Sequence, residues 1–402
     1  MRLTHVITRL IIGGAQENTI ASVLGLSQKP GLKVTLISGP TTGPEGSLES
    51  LVNSSRDMLR VVPQLVRPVR PWTDWRALQA LTRIFRAEAP DLVHTHSGKA
   101  GVLGRLAAAR SGVPLIVHTI HGPSFGLFQG PLSNSAFRLA ERRAARVTTH
   151  FVVVAEAMTR QYLAAGIGRP DQFTRIFSGF PLQPFLTATN DPQVRARLGL
   201  TTEDLVVGNI ARLCPLKGHD ELFAVAPALV KRWPRLKFLL VGDGESRPRL
   251  ENQARELGLQ KHFVFTGMVA PNEVPALVGI MDVLVHLSFR EGLARALPQA
   301  LAAGKPVVAY DCDGAGEVCQ DNETGFLVSC RDQGLLTQRL LLLAGDAGLR
   351  ARFGENGRQF VRQRFDVQNM VDELHRLYLR LTEESRKHTA TPAVPEPQFQ
   401  KE

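Results

Sequence analysis

Arg212 and Lys217 lie in ARLCPLKGHDE, Glu291 and Gln299 lie in REGLARALPQALAAGKPVV, and glycine-rich turns recur at Gly13-Gly14, Gly242-Asp243-Gly244 and Gly314-Ala315-Gly316. Two cations five residues apart, at the end of an apolar run, can neutralise a diphosphate from two sides. Glycine turns let a backbone approach a phosphate, and the free N–H groups of a following helix favour an anion. A carboxylate such as Glu291 can accept two hydroxyl hydrogen bonds at once, at about 1.5–3 kcal/mol each against about 0.5–1.5 kcal/mol for neutral acceptors such as the Gln299 amide. Pro298 is tolerated in a first helical turn, which sets Gln299 at a helix N-terminus facing a cleft. The pattern is that of a site for a phosphate-bearing ligand.

Two further groups could hold a metal. Asp311-Cys312-Asp313 has a D-x-D spacing, and His94, His96, His118 and His121 fall close together. No acid or cysteine joins the histidines at metal spacing, and alternate strand residues point to opposite faces, so they are not expected to converge. A metal role is expected for neither group; His121 is expected to be functional and the other histidines structural.

These residues need a scaffold that brings strand ends together. LTHVI (3–7), KVTLIS (33–38), DLVHTH (91–96), PLIVHTI (114–120) and HFVVVA (150–155) read as buried strands separated by helical patterns such as 99–110 and 156–165. DLVVGNIA (204–211), LKFLLVG (236–242), HFVFTG (262–267), DVLVHLS (282–288) and PVVAY (306–310) repeat the scheme. Two βαβ series predict two parallel sheets covered on both faces, with ligands bound beyond the carboxyl ends of the strands. At 402 residues the chain fits two domains. The expected divisions are 1–183, 184–365, a helix at 366–384 that crosses back to the first domain, and a disordered Pro-rich tail at 385–402.

The net charge is +11, and residues 1–183 carry all of it, with 21 Lys and Arg against 10 Asp and Glu. Such asymmetry points to an anionic partner for the first half. Residues 59–86 mix arginines with Trp72, Trp75 and apolar residues, as a membrane-surface segment would, although a helix packed on the sheet explains most of the pattern. A nucleic-acid partner is not expected, because the charge comes with no aromatic platform or binding module. The four cysteines have no C-x-x-C spacing and are expected to be reduced thiols, and no apolar run reaches the length of a membrane span. The N-terminal residues read as strand and loop, not as a signal peptide, so a cytoplasmic location is expected.

IARLCPLKGHDEL, LLVGDGESRPRLE, VFTGMV and SFREGLARALPQALAAGKPVV resemble the successive C-terminal motifs of glycosyltransferase family 4, retaining enzymes of the GT-B fold. GGAQENT, PDLVHTHSGKAGVLGRLAA and VHTIHGPSF resemble its N-terminal motifs, so the resemblance spans residues 1–382. It implies two Rossmann-like domains facing a central cleft, the first for the acceptor and the second for the nucleotide sugar. It also implies a role for each matching residue. Arg212 and Lys217 would bind the donor diphosphate, Glu291 the sugar hydroxyls, and Gly13-Gly14 the neighbourhood of the phosphates. His121 would reach the transferred sugar, and the backbone of Met268 and Val269 would lie against the base. Where the family has a second acid for the ribose diol, this chain has Gln299. The implied reaction moves a sugar from a UDP- or GDP-linked donor to an acceptor hydroxyl with retention, without further cofactor or metal. The acceptor would be a saccharide or lipid-linked saccharide of cell-envelope or exopolysaccharide synthesis, met at the inner face of the cytoplasmic membrane. A nucleotide-sugar epimerase of the same fold is the alternative.

Overall fold

The computed structural model describes residues 1–43, 46–53 and 58–390. Its first sheet holds β1 (Arg2–Ile7), β2 (Lys33–Ser38), β3 (Leu59–Val61), β4 (Leu92–His96), β5 (Leu115–Ile120), β6 (His150–Val153) and β7 (Phe173–Arg175), in the order 3-2-1-4-5-6-7. The second holds β8 (Leu205–Ile210), β9 (Leu236–Val241), β10 (Phe263–Gly267), β11 (Val283–His286), β12 (Val307–Tyr310) and β13 (Gly325–Val328), in the order 10-9-8-11-12-13. Every pairing between neighbouring strands is parallel. Helices cover both faces, which is why the central strands read as near-continuous apolar runs.

The ten strands read in the sequence are present, and β3, β7 and β13 add to them. All three lie at sheet edges.

On the first sheet, Leu3, Ile7, Ile20, Val23 and Leu36 pack on one face, while Val6, Ile37, Ala77, Leu81 and Phe85 pack on the other. The helix Pro71–Glu88 supplies that second face at helical spacing. Proline opens it, and it stops at Ala89, left-handed at φ 42°, because the following Pro90 excludes helical geometry before it.

The chain crosses between the two units twice. The outward crossing runs through Phe177 and Phe180, and the return runs through Phe365 and Asp366. The Phe180 amide donates to the Phe365 carbonyl at 3.0 Å, and the Phe177 and Phe365 rings stack at 4.6 Å. The returning helix Val367–Ala390 then lays Met370, Val371, Leu374, Leu377, Tyr378 and Leu381 into the first unit's core. Lys29 pairs with Asp372 at 2.5 Å across this contact. The expected tail is corrected in part: residues 385–390 continue the helix, since no breaker precedes Pro392 and Arg386 and Lys387 suit a helix C-terminus. Residues 391–402 lie outside the described residues.

Candidate active site

β5, β8 and β11 end at the interface of the two units, and the loops that follow them enclose a cavity of about 240 Å³. His121 and Gly122 enter it from the first unit; Arg212, Lys217, Arg290, Glu291 and Gly292 enter it from the second. Parallel sheets gather strand ends and helix N-termini at one edge, and here the two edges meet.

Lys217 follows β8 and directly precedes Gly218, whose left-handed backbone at φ 72° starts the helix His219–Arg232. Lys217 Nζ pairs with Glu291 Oε1, and Ser288 Oγ and His286 Nε2 lie 3.4 and 3.7 Å from the same oxygen. Burial works to raise the pKa of Glu291, but the charge and hydrogen bond of Lys217, together with His286 and the Ser288 hydroxyl, hold the carboxyl below its ordinary value. Burial pushes His286 down to about 4, so it stands neutral at physiological pH. Arg290 lies over the Phe128 ring, 3.4 Å from its centroid, and donates to the Pro123 carbonyl, both in the first unit.

Gly292 packs its backbone directly against the first unit. A Cβ there would stand 1.9 Å from the His121 carbonyl. Only glycine lets these loops touch. No acceptor in the protein faces the amides of Gly292, Leu293 and Ala294 among the described residues. These three directly precede Arg295, the N-cap of the helix Ala296–Ala302.

The other residues picked out in the sequence surround this cavity without lining it. Gly13 and Gly14 start the helix Gly14–Ser27 and abut the second unit: a Cβ on Gly14 would come within 3.2 Å of Arg295, which pairs with Glu17 at 2.6 Å. Gly242 and Gly244 serve the Arg212 loop, since side chains there would strike the carbonyls of Ala211 and Leu213 at 2.2 and 2.3 Å. Met268 is half exposed and reaches toward Gly46 of the first unit, while Val269 packs on its own unit's core. Gln299 is half-buried in the second turn of its helix. The Gly314 amide donates to the Gly292 carbonyl at 3.1 Å, so it supports the Glu291 loop and is not open to a phosphate; Gly316 lies beside Asp311 and Leu327.

Both Asp313 carboxylate oxygens are engaged, one by the Glu291 amide at 2.8 Å and the other by Gln161 Nε2 at 2.5 Å. The D-x-D segment thus holds the Glu291 loop against the first unit. The expected scatter of the histidines is corrected. His94 and His96, two residues apart, share a face, and His5, opposite His94 in register, joins them. One ring nitrogen from each of these three lies within 4.8 Å of the others. His118 turns away, toward Thr95 and Phe151. Arg290, Gly292 and His5 were not picked out in the sequence. Arg290 and Gly292 flank Glu291 directly, and that adjacency was the available signal.

Two facing parallel-sheet units with a basic pair and an acid at their junction define a nucleotide-sugar enzyme architecture. Residues 190–360 match the family of glycosyl transferases group 1, and residues 14–176 match the glycosyl transferase 4-like domain. The D-inositol 3-phosphate glycosyltransferase of Salinispora arenicola is 32% identical over 307 residues, covering 69% of this chain and 67% of that protein. The UDP-Gal:alpha-D-GlcNAc-diphosphoundecaprenol alpha-1,3-galactosyltransferase of Escherichia coli is 28% identical over 322 residues, covering 79% and 82%. The crystal structure of Anabaena HepE in complex with UDP and glucose superimposes with a TM-score of 0.81 at 23% identity, covering 94% of this chain and 100% of that one. The chain belongs to the group 1 glycosyltransferases and has the GT-B fold. It is a glycosyltransferase, and none of these relatives is an epimerase.

Proposed function

We propose that the protein transfers a sugar, with retention, from a UDP- or GDP-linked donor to a hydroxyl of a saccharide carried on a lipid diphosphate. The observation that carries this reading is the junction cavity, where Arg212, Lys217 and Glu291 of one unit face His121 of the other. Lys217 and Arg212 neutralise the departing diphosphate, the amides of Gly292 to Ala294 bind its oxygens, and Glu291 accepts hydroxyls of the transferred sugar. With the leaving phosphate itself assisting deprotonation of the attacking hydroxyl, no protein nucleophile is required, and catalysis is positioning plus charge stabilisation. No metal is assigned, because both oxygens of Asp313 are held by protein donors.

The lipid-linked acceptor is supported by the Escherichia coli relative, named for a diphosphoundecaprenol-linked acceptor. It is supported also by apolar exposure at the site's edge. Right-handed crossovers put helix N-termini at the carboxyl edge of the sheet. There Trp72 and Trp75 are 62% and 48% exposed, and Leu132 is 88% exposed at the start of the helix Pro131–Ala145. Trp72 and Trp75, with Arg76 over the Trp72 ring and Arg67 and Arg70 just before them in the chain, offer a surface suited to an anionic bilayer, where the protein would sit peripherally on the inner face. No helix among the described residues is long and apolar enough to cross a membrane.

The test is incubation with UDP- and GDP-sugars, with and without a saccharide on a polyprenyl diphosphate. Free nucleotide diphosphate should appear only when acceptor is present. Interconversion of the donor sugar without release would instead make the enzyme an epimerase.

A further inference from the structure

Behind His121 runs a series of rings that the transfer reaction does not use. His96 Nδ1 lies 3.1 Å from His121 Nε2, and His96 Nε2 lies 2.8 Å from His5 Nδ1. His5 and His96 are almost wholly buried, and His5 Nε2 meets no partner among the described residues. Beside them, His94 is held at both nitrogens, by Tyr378 Oη at 2.5 Å and Thr119 Oγ1 at 2.7 Å. The ring centroids of His94 and His96 are 4.4 Å apart, and those of His5 and His96 are 5.1 Å apart.

We propose that His5 and His96 are positioning residues for His121, which fix its ring in the cleft and tie its tautomer to their own. The inference rests on the reading that His121 faces the transferred sugar. Desolvation drives all three rings below their ordinary pKa, so each is neutral near pH 7 and carries one N–H and one bare nitrogen. Two hydrogen bonds in series then permit two arrangements only: all three rings protonated at Nδ1, or all three at Nε2. Whether His121 Nδ1 offers the cleft a donor or an acceptor is therefore decided jointly with His5, on the innermost strand pair.

The series orients and does not conduct. A proton taken up at His121 and passed inward would end on His5 as a buried imidazolium, and no carboxylate among the described residues lies beside His5 to compensate it. Nor does the cluster have the chemistry of a metal centre. Both nitrogens of His94 and of His96 are already bonded, only His5 Nε2 is open, and no anionic ligand joins them among the described residues.

The experiment is long-range ¹H–¹⁵N spectroscopy of the full-length protein labelled in histidine, together with kinetics of two variants. The three rings should report one common tautomer at pH 7. Different tautomers for His96 and His121, or a charged ring, would overturn the proposal. So would stoichiometric zinc retained through purification by the parent and lost in His5→Phe. His96→Leu should lower kcat on the order of ten-fold or more with donor KM nearly unchanged, because a loosened ring misplaces a contact without removing the donor site. His96→Asn, whose amide can still meet His121, should recover most of that loss. Equal loss in both variants would mean a packing role only. Should the enzyme transfer no sugar at all, the spectrum of the parent still decides the tautomer assignment.

Discussion

Glu291 and Gln299 occupy the two ends of one family motif, and their surroundings predict different consequences for losing them. Glu291 is paired with Lys217 inside the junction cavity, whereas Gln299 stands outside it in the second turn of the adjoining helix. Glu291→Gln removes a charged acceptor at the sugar that reacts and leaves Lys217 without its anion, so kcat should fall by about ten-fold or more. The family resemblance puts Gln299 at the donor ribose, where Gln299→Ala would remove a neutral contact that persists from ground state to transition state. It should raise donor KM by no more than about ten-fold and leave kcat nearly unchanged. Steady-state kinetics with one fixed acceptor decide between them, and the reverse pattern would mean that the motif is misaligned. The residues that meet in the cavity were legible because their types are unusual at strand ends: a basic pair, an acid and a histidine. Gly292 and Arg290 were not, because their parts depend on which loop of the other unit they touch. No local pattern records that the His121 carbonyl lies where a Cβ of residue 292 would fall.

The central strands of the first sheet carry a titratable core of their own. His5 on β1, His94 and His96 on β4, His118 on β5 and the adjacent His121 are all shifted down, chiefly by burial; His5 and His121 lie at about 3. In the unfolded chain each would titrate near the ordinary value of about 6.5. Below that pH the unfolded state binds protons that the folded state refuses. The stability these rings contribute is therefore complete above about pH 6.5 and is lost as pH falls toward their folded values, at about 1.4 kcal/mol per pH unit for each ring that stays neutral. The thermal midpoint should thus drop steeply between pH 6.5 and 4.5, and a flat midpoint across that window would show that the rings are not held neutral. The same strands were legible in the sequence because burial on both faces leaves uninterrupted apolar runs. β3, β7 and β13 were not, since an edge strand of three or four residues is too short to show a period and is specified by its one neighbour. The end of the last helix was also placed early. Composition changes at residue 386, but the backbone has no reason to stop before the proline at 392.

Across the whole molecule, charge and exposed aromatic surface coincide on the first unit. Charge reversal at Arg67, Arg70 and Arg76 should weaken co-sedimentation with phosphatidylglycerol vesicles, and binding of the parent should fall as salt rises. Binding that ignores salt, or none, would remove the bilayer from the account. The two units also depend on each other for completeness, since neither holds both His121 and Glu291. What governs their meeting is the pair of crossings, bonded side by side through Phe180 and Phe365. One tether would let the halves swivel about any axis. Two tethers lying together act as a strip of tape, which folds readily about one line and resists torsion. Any swing of the units about that line would carry Gly292 along one arc, ending where its backbone meets the His121 carbonyl.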